Sequence, residues 1–342
     1  METPLRQTEA ADRFNPIEAK MKYIKKDLWA KHFQSWHITD CAVREKSVVY
    51  FCLRKKTSPE EASLIFDHDI RSKLFVLSLS SPTGDRFGAT TLEGYNKPRV
   101  GVSRKPLPQG LLVSRNNDGQ VNIMGGGVDT ADEFIAPGKV PMTARVKCIN
   151  DYAYSVGGGR AIYKREDIGK WIKIDAGFPA VEADTAQGFN DMDAFSETDM
   201  YAVGGHGDVW HFDGKLWTQQ GFPSNVQLAT VTCAGDGQVY ISGEGGSLWR
   251  GKLSTWELIY QGASSILWND VLWFDGKLWL ASDYQARTWD GKQLQPITHN
   301  GQQIPIYGHM DAHDGLLVIA SPEVVKAYDG KEWRTLVASY LD

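Results

Sequence analysis

Residues that could perform chemistry are few and scattered along this sequence. The segment His309-Met-Asp311-Ala-His313 alternates polar and apolar residues, so on a strand its three polar side chains would share one face and could bind a metal ion. Three ligand-type residues on one strand are a weak pattern, and a solvated strand or a wet channel explains them more simply. We therefore predict no bound metal and no cofactor.

Other patterns that suggest chemistry have simpler explanations. Asp67-His-Asp69 is typical of a charged turn. The runs Gly125–Gly127 and Gly157–Gly159 are followed by no Lys-Ser/Thr pair and by no strand-to-helix context, so they indicate strand ends and not phosphate loops. The chain contains neither a G-x-S-x-G elbow nor an H-E-x-x-H segment. We predict a binding protein and not an enzyme.

The distribution of charge is more informative than these motifs. From Ile174 to Gly214 the chain contains nine acidic residues and neither lysine nor arginine. Such a run is usually a solvated surface loop. Carboxylates beside Phe189 and Phe195 on a rigid rim also match an interface for a basic partner. The predicted partner-binding residues are Glu182, Asp184, Phe189, Asp191, Asp193 and Phe195.

The elements that must position these residues recur at a nearly fixed interval. Tyr201, Tyr240, Trp279 and Val318 each begin a similar segment, and successive members lie 39 residues apart. Repeats of about 40 residues, each with several short strands and a turn, are typical of β-propeller blades. Each repeat continues to a tryptophan or to an Asp-Gly-Lys turn, as in Asp213-Gly-Lys-Leu-Trp217.

Anchors of the same kind extend the repeat towards the amino terminus. They lie at Tyr50, Val113 and Tyr154, which gives seven anchors in all. The sequence therefore predicts an all-β fold, a single β-propeller with seven blades, with six or eight left open because the first two units are irregular. Trp217, Trp256 and Trp333 are expected to be mostly buried between blades.

Three segments at the amino-terminal end depart from the repeat. Residues 1–20 are polar and contain two prolines, so we expect a mobile arm or a short surface helix there, followed by the propeller over 21–342. Tyr23-Ile-Lys-Lys-Asp27-Leu-Trp29 is spaced like an outer strand and is a candidate for closing the ring. An insertion with one helical turn is expected near residues 57–70, opened by Ser58-Pro59.

Composition sets broad limits on function. The chain has 342 residues, of which 42% are hydrophobic and 23% charged, and a formal net charge of −5. No apolar run approaches the roughly 18 residues that a membrane span needs. Four widely spaced cysteines and an amino terminus without an apolar core predict reduced thiols and a cytoplasmic protein that binds no membrane.

The repeats resemble those of kelch and related propellers. Asp213-Gly-Lys-Leu-Trp217 and Asp329-Gly-Lys-Glu-Trp333 look like shortened Asp-box turns, but they lack the residue that sialidases have between Asp and Gly. This difference argues against carrying over sialidase chemistry. An Asp-Gly pair makes a tight hairpin by itself because glycine accepts a positive φ.

From about residue 145 to residue 336 the chain also resembles bacterial immunity proteins of the propeller type, in particular those paired with type VI secretion nuclease effectors of the VRR-Nuc class. The resemblance implies that the protein binds a cognate toxin with a basic surface and occludes its active or DNA-binding site, without binding nucleic acid itself. The alternative is a carbohydrate-binding propeller, a lectin or a sialidase-like hydrolase, whose tryptophans and tyrosines would stack on sugars. Against this alternative, most of the aromatic residues fall at repeat positions and are expected in the core.

Overall fold

The computed structural model describes residues 23–80, 87–127, 132–179, 188–262 and 266–341. Seven antiparallel sheets of four strands each succeed one another along the chain, and each is a simple meander. They form the blades of a seven-bladed β-propeller, which confirms the predicted fold and the predicted number of blades. The predicted arm, residues 1–20, lies outside the described residues.

The first three blades contain the irregular part of the chain. Blade 1 consists of β1 (Trp36–Glu45), β2 (Val48–Lys55), β3 (Ser72–Ser78) and β4 (Phe87–Leu92). Blade 2 consists of β5 (Arg99–Ser103), β6 (Gln109–Val113), β7 (Gln120–Gly125) and β8 (Glu133–Phe134). Blade 3 consists of β9 (Thr143–Ile149), β10 (Tyr152–Gly157), β11 (Ile162–Asp167) and β12 (Lys170–Lys173).

The last four blades carry the regular repeat. Blade 4 consists of β13 (Phe189–Ser196), β14 (Asp199–Gly204), β15 (Asp208–Phe212) and β16 (Trp217–Gln220). Blade 5 consists of β17 (Leu228–Cys233), β18 (Val239–Gly243), β19 (Leu248–Lys252) and β20 (Thr255–Tyr260). Blade 6 consists of β21 (Asp270–Phe274), β22 (Lys277–Ala281), β23 (Ala286–Trp289) and β24 (Leu294–Pro296). A small hairpin, β25 (Thr298–His299) and β26 (Gln302–Gln303), precedes blade 7, which consists of β27 (His309–His313), β28 (Leu316–Ala320), β29 (Val325–Tyr328) and β30 (Trp333–Val337).

The helical elements are short. Among the described residues they are α1 (Lys26–His32), α2 (Pro59–Ala62) and single 3₁₀ turns at Asp67–Asp69, Asn117–Gly119 and Glu244–Gly246. The connection between β2 and β3 contains α2, whose first turn is capped by the Ser58 side chain. None of the helices in the described ranges is long and apolar enough to cross a membrane.

Residues 26–32 do not form the outer strand that their spacing suggested. They form α1. Blade 1 takes all four of its strands from one continuous stretch of chain, and so does blade 7. The Trp29 ring instead packs against Tyr340, with ring centroids 5.7 Å apart, and the Tyr340 hydroxyl donates to the Ile24 carbonyl. The outer-strand prediction was therefore wrong because the amphipathic pattern of this segment serves a helix that packs on the core.

The first and last blades are joined by polar contacts instead of by a shared sheet. The Ile38 amide donates to the Pro322 carbonyl over 2.9 Å, and Lys56 forms an ion pair with Glu323 over 2.7 Å. The Asp311 carboxylate accepts a hydrogen bond from the Val43 amide over 2.7 Å. Closure of the ring thus depends on these polar contacts and on the hydrophobic cluster that blades 7 and 1 share.

The Asp-Gly turns close the outer hairpins by one repeated device. One carboxylate oxygen of Asp213 accepts hydrogen bonds from the amides of Lys215 and Leu216, each over 2.8 Å, and Gly214 has a φ of +91°. Asp290 and Asp329 make the equivalent pair of bonds in blades 6 and 7. These carboxylates have a structural role, as the tight-turn interpretation predicted.

Aromatic side chains fill the space between neighbouring blades. Trp217 of blade 4 is 2% exposed, stacks on Phe178 at 5.3 Å and donates its indole N–H to the Ile174 carbonyl. Trp256 and Trp333 are partly buried. The core of the molecule is therefore a circle of hydrophobic clusters, each shared by two blades.

We predict that Trp217→Ala lowers the free energy of unfolding by about 3–5 kcal/mol, because it leaves a large cavity and an unpaired carbonyl between two blades. Chemical denaturation followed by fluorescence would measure this loss. Leu216→Ala is the control, since the adjacent Leu216 side chain is 53% exposed and its truncation should change the unfolding free energy little. Equal effects of the two substitutions would contradict the packing role of Trp217.

Candidate functional site

Seven inner strands surround the central channel, one from each blade. Two residues on each strand, separated by one position, pair with equivalent residues of the second strand. We call these two sets the first ring and the second ring. The first ring is Asp40, Arg99, Arg145, Asp191, Thr230, Asp270 and His309. The second ring is Ala42, Gly101, Lys147, Asp193, Thr232, Leu272 and Asp311.

Five carboxylates of these rings fasten one inner strand to the next. In each case a carboxylate oxygen accepts a hydrogen bond from a backbone amide of the following blade. The pairs are Asp40 with Val100 (3.1 Å), Asp191 with Val231 (3.1 Å), Asp193 with Cys233 (2.8 Å), Asp270 with Met310 (2.9 Å) and Asp311 with Val43 (2.7 Å). We call these contacts the inter-blade clasps. They satisfy backbone amides that no neighbouring strand reaches.

Blade 3 carries cations where other blades carry carboxylates. The Arg145 guanidinium crosses the channel, donating to Asp270 over 2.8 Å and to the Asn269 carbonyl over 2.6 Å. Its Nε lies 3.5 Å from Asp191, and the Lys147 amine lies 3.6 Å from the same carboxylate oxygen. Opposite charges in the channel therefore offset one another in part.

The pKa values of these carboxylates diverge because their surroundings differ. Burial alone would raise the pKa of Asp270, but the Arg145 guanidinium and the hydrogen bonds from His309 and Met310 outweigh it and hold that pKa well below its ordinary value. Burial raises the pKa of Asp193 and of Asp311, and the Lys147 ammonium opposes this rise only in part. Arg145 thus stabilises the carboxylate that it contacts directly.

A cavity of about 190 Å³ follows the channel. Its walls include three thiols, those of Cys41, Cys148 and Cys233. Burial raises the pKa of Cys148 to about 11, and it raises the pKa of Cys41 and of Cys233 well above the ordinary thiol value. Neutral thiols at physiological pH are poor nucleophiles and poor metal ligands, so the cavity offers no activated cysteine.

The segment that could have bound a metal ion is used for structure. The Nδ1 atom of His309 forms a hydrogen bond with the Asp270 carboxylate over 3.0 Å. Asp311 makes an inter-blade clasp, and His313 is exposed. In the parts of the chain that the structure describes, no group of three His, Cys, Asp or Glu side chains is placed to hold a metal ion.

The structure separates the predicted partner-binding residues. Asp191 and Phe189 are each 1% exposed, and both lie on the inner strand β13 instead of on a loop. Asp193 is partly buried and bonded to Cys233 and to the Thr232 hydroxyl. Phe195 is also partly buried, with the Lys252 amine 4.4 Å from its ring centroid. Glu182 and Asp184 lie outside the described residues.

The expectation of an exposed acidic loop is therefore wrong for Asp191 and Asp193, and the predicted aromatic contact is wrong for Phe189. Their side chains are already occupied by a neighbouring blade or by the core. One signal in the sequence could have revealed this. Asp40, Asp270 and Asp311 occupy the same ring positions in other repeats, so a carboxylate there belongs to the repeat itself.

A second cavity, of about 360 Å³, opens where the inner strands begin. We call this end of the channel the upper mouth. The upper face is the side of the disc on which this mouth opens. It contains the loops between the second and third strands of each blade and the connections between successive blades. The mouth includes Arg99 of the first ring, together with Lys97 and Arg115. The anchor predicted at Val113 obscured this arrangement, since the residue equivalent to Tyr201 is Leu111, two positions earlier.

Comparison with solved structures supports the fold. The chain is similar to a structure of YCF48 bound to a D1 peptide, with 14% identity, a TM-score of 0.58 and coverage of 87% of this chain and 96% of that one. It is also similar to the WD40 β-propeller domain of Doa1, with 13% identity, a TM-score of 0.54 and coverage of 85% and 92%. At these identities the likeness establishes the class, a β-propeller, and nothing about function.

No family model matches the sequence. A curated relative does: the immune protein Tsi7 of Pseudomonas aeruginosa is 34% identical over 239 residues, which cover 68% of this chain and 77% of the relative. The chain therefore belongs to the family of the immune protein Tsi7. This membership confirms the predicted immunity protein over the carbohydrate-binding alternative.

We predict that Asp270→Asn lowers the free energy of unfolding at pH 7 by about 3–5 kcal/mol, because it leaves the buried Arg145 charge without its main partner. The pKa of Asp270 is depressed, so its contribution is fully present above the unfolded value near 4 and is lost as pH falls further. The difference in unfolding free energy between the parent and the variant should therefore be constant from pH 7 to about 5 and should become smaller below about pH 4.

Urea unfolding at several pH values would measure this difference. Asp275→Asn is the matched control, because Asp275 is an exposed carboxylate in a turn of the same blade and asparagine also tolerates its positive φ of 51°. A stability difference that did not change in acid would show that the Asp270 charge is not what stabilises the channel.

Proposed function

We propose that this chain neutralises an antibacterial toxin by binding to it and covering its functional surface. Membership of the Tsi7 family is the observation that carries this proposal. A seven-bladed disc suits the task, because its blades are rigidly joined by the inter-blade clasps while its loops supply a broad recognition surface. Inhibition of this kind requires contact alone, and the protein acts without catalysis.

The commitment of the channel charges to one another favours a binding role. Asp270 and Asp191 are held by Arg145, and Arg160 forms a buried ion pair with Asp208 over 2.9 Å. Arg165 and Glu133 form another buried pair between blades 3 and 2. Groups held so firmly by structural partners are poorly placed for acid–base or nucleophilic chemistry.

We propose further that the toxin is a nuclease delivered by type VI secretion, and that this protein meets it in the cytoplasm. A nuclease binds DNA through a basic surface, and a partner that covers this surface needs exposed carboxylates. Five exposed carboxylates on the upper face have no cation as ion-pair partner among the described residues. They are Glu60, Glu61, Glu93, Glu244 and Asp283, which we call the acidic rim.

The acidic rim gives this proposal its electrostatic basis. In the described part of the upper loops, two exposed lysine or arginine side chains lie outside the mouth, Arg71 and Lys139, so carboxylates remain in excess there. An excess of negative charge accelerates encounter with a basic protein. The same excess, with a formal net charge of −5, repels nucleic acid, so the protein should protect by binding the toxin and not by shielding DNA.

The proposal is tested with a candidate cognate toxin, which is first sought as a toxin-domain protein encoded next to this gene. Its expression should kill a bacterial host, co-expression of this chain should restore growth, and the purified pair should form a stable complex in which DNA cleavage is blocked. Failure of the two proteins to associate would contradict the immunity function. Binding that left DNA cleavage intact would contradict inhibition by occlusion.

We predict that Glu244→Lys combined with Asp283→Lys slows association with the toxin about tenfold or more at low ionic strength, with less effect at high ionic strength. Surface plasmon resonance over a series of salt concentrations would measure this rate. The control is Glu257→Lys with Glu332→Lys, which makes the same change of charge at exposed positions on other parts of the disc. Equal effects of the two double variants would argue against the acidic rim as the site of encounter.

A further inference from the structure

The upper mouth combines a concave shape with uncompensated positive charge. Its cavity of about 360 Å³ is lined by four cations, and no carboxylate lines it among the described residues. The four cations are Lys97, Arg99, Arg115 and Arg145. Asn190, Gln227 and Asn269 add amide groups to the same wall. A concave site with cations and amides, and without carboxylates, is suited to an anionic group.

Three of the four cations at the upper mouth differ in their charge partners from the arginines of the interior. Arg145, Arg160 and Arg165 each form an ion pair with a buried or nearly buried carboxylate. In contrast, the side chains of Arg99, Arg115 and Lys97 have no acidic partner within the described ranges. Arg99 and Arg115 are nevertheless partly buried, so each loses hydration without gaining a counter-charge.

The position of Arg99 makes its lack of an acidic partner among the described residues informative. It occupies the first ring, at the place where blades 1, 4 and 6 have Asp40, Asp191 and Asp270. The carboxylates make inter-blade clasps at that position, whereas Arg99 cannot accept a hydrogen bond from a backbone amide. Since it cannot fasten the ring as these carboxylates do, its guanidinium N–H groups remain available to something that enters the mouth.

Apolar side chains lie on the blade 6 side of the upper mouth. Leu267 lines the cavity and is about half exposed, and Trp268 beneath it is buried with its indole N–H bonded to the Gly246 carbonyl. Tyr284, on the upper loop of blade 6, is 80% exposed, and Tyr307 is also exposed. Exposed tyrosine and leucine beside a charged cavity are typical of the centre of a protein interface.

We propose that the upper mouth is the anchoring point for the toxin and that it takes a projecting acidic side chain of that protein. This inference rests on the proposed immunity function and adds to it the face of the disc and the chemistry of the contact. Arg99 and Arg115 bind the carboxylate as charge-assisted donors, and Tyr284 and Leu267 cover the apolar surface around it. The acidic rim lies outside this centre and meets the basic surroundings of the projection.

The test uses Arg99→Glu combined with Arg115→Glu and measures binding to the cognate toxin. Circular dichroism and thermal unfolding first establish that the variant is folded. We expect the dissociation constant to rise about 100-fold or more, because a buried interfacial charge pair is replaced by two like charges. Protection of cells should be lost in parallel.

Two further variants make the result specific. Lys292→Glu with Lys331→Glu makes the same change of net charge on the outer turns of blades 6 and 7, and it should leave the dissociation constant within about threefold of the parent value. Arg99→Lys with Arg115→Lys keeps the charge but loses the bidentate geometry, so it should bind with intermediate affinity. Unchanged binding by the Arg→Glu double variant would overturn the proposal.

A binding experiment without toxin distinguishes a failure of this proposal from a failure of the proposed immunity function. A glutamate-rich decapeptide and inorganic phosphate are titrated into parent and double variant at low ionic strength by calorimetry. The peptide should bind the parent and not the variant. If the parent bound neither the peptide nor phosphate, the anionic site would be refuted even where the toxin binds. Binding of phosphate alone, with toxin affinity unchanged in the variant, would assign the mouth to a small anion and overturn the docking role.

Discussion

The inner strand of every propeller blade has one edge that no further strand covers, and the amides along that edge need partners. In this chain, carboxylates from the preceding blade supply many of them. Asp191 reaches Val231, and Asp311 reaches Val43 across the junction between the last and first blades. Because each bond joins two blades, it both satisfies a buried donor and holds the ring closed without a shared outer sheet. The rest of the architecture depends on this use of acidic residues at the centre.

Carboxylates gathered around a narrow channel repel one another unless cations offset them. Blade 3 provides the offset, since Arg145 and Lys147 stand where a carboxylate pair stands in blade 4. Arg145 is held by Asp270 and by the Asn269 carbonyl, so these channel charges are engaged in structural contacts. On the proposed function, recognition of the toxin is then left to the faces of the disc. At the upper mouth this compensation ends, because Arg99 of the first ring and Arg115, which lines the same cavity, have no carboxylate partner among the described residues.

The spacing of 39 residues between Tyr201, Tyr240 and Trp279 predicted the propeller, because a strand-and-turn repeat leaves a regular pattern in one dimension. The count of seven anchors favoured seven blades and left six or eight open, and the structure has seven. The site was less accessible to sequence reasoning. Asp191 and Asp193 were expected on a loop, since an acidic run alone does not reveal that each side chain bonds to the adjacent blade. Residues 26–32 were expected to form a strand, whereas contact with Tyr340 stabilises a helix there. These contacts join residues distant in sequence, so local patterns could not indicate them.

The placement of charge on the upper face has a consequence for specificity. A surface that was uniformly acidic would attract any basic protein, and a uniformly basic one would attract nucleic acid. Here the positive charge lies inside a concave mouth, while Glu244 and Asp283 project from the loops around it. A flat basic surface meets the rim but leaves Arg99 and Arg115 desolvated and unpaired, at a free-energy cost. On the proposed function, DNA would meet the acidic rim first and be repelled by its carboxylates. On the proposed function, only a partner that is basic around an acidic projection complements both the acidic rim and the positively charged mouth. Discrimination between related toxins then depends on that single projection.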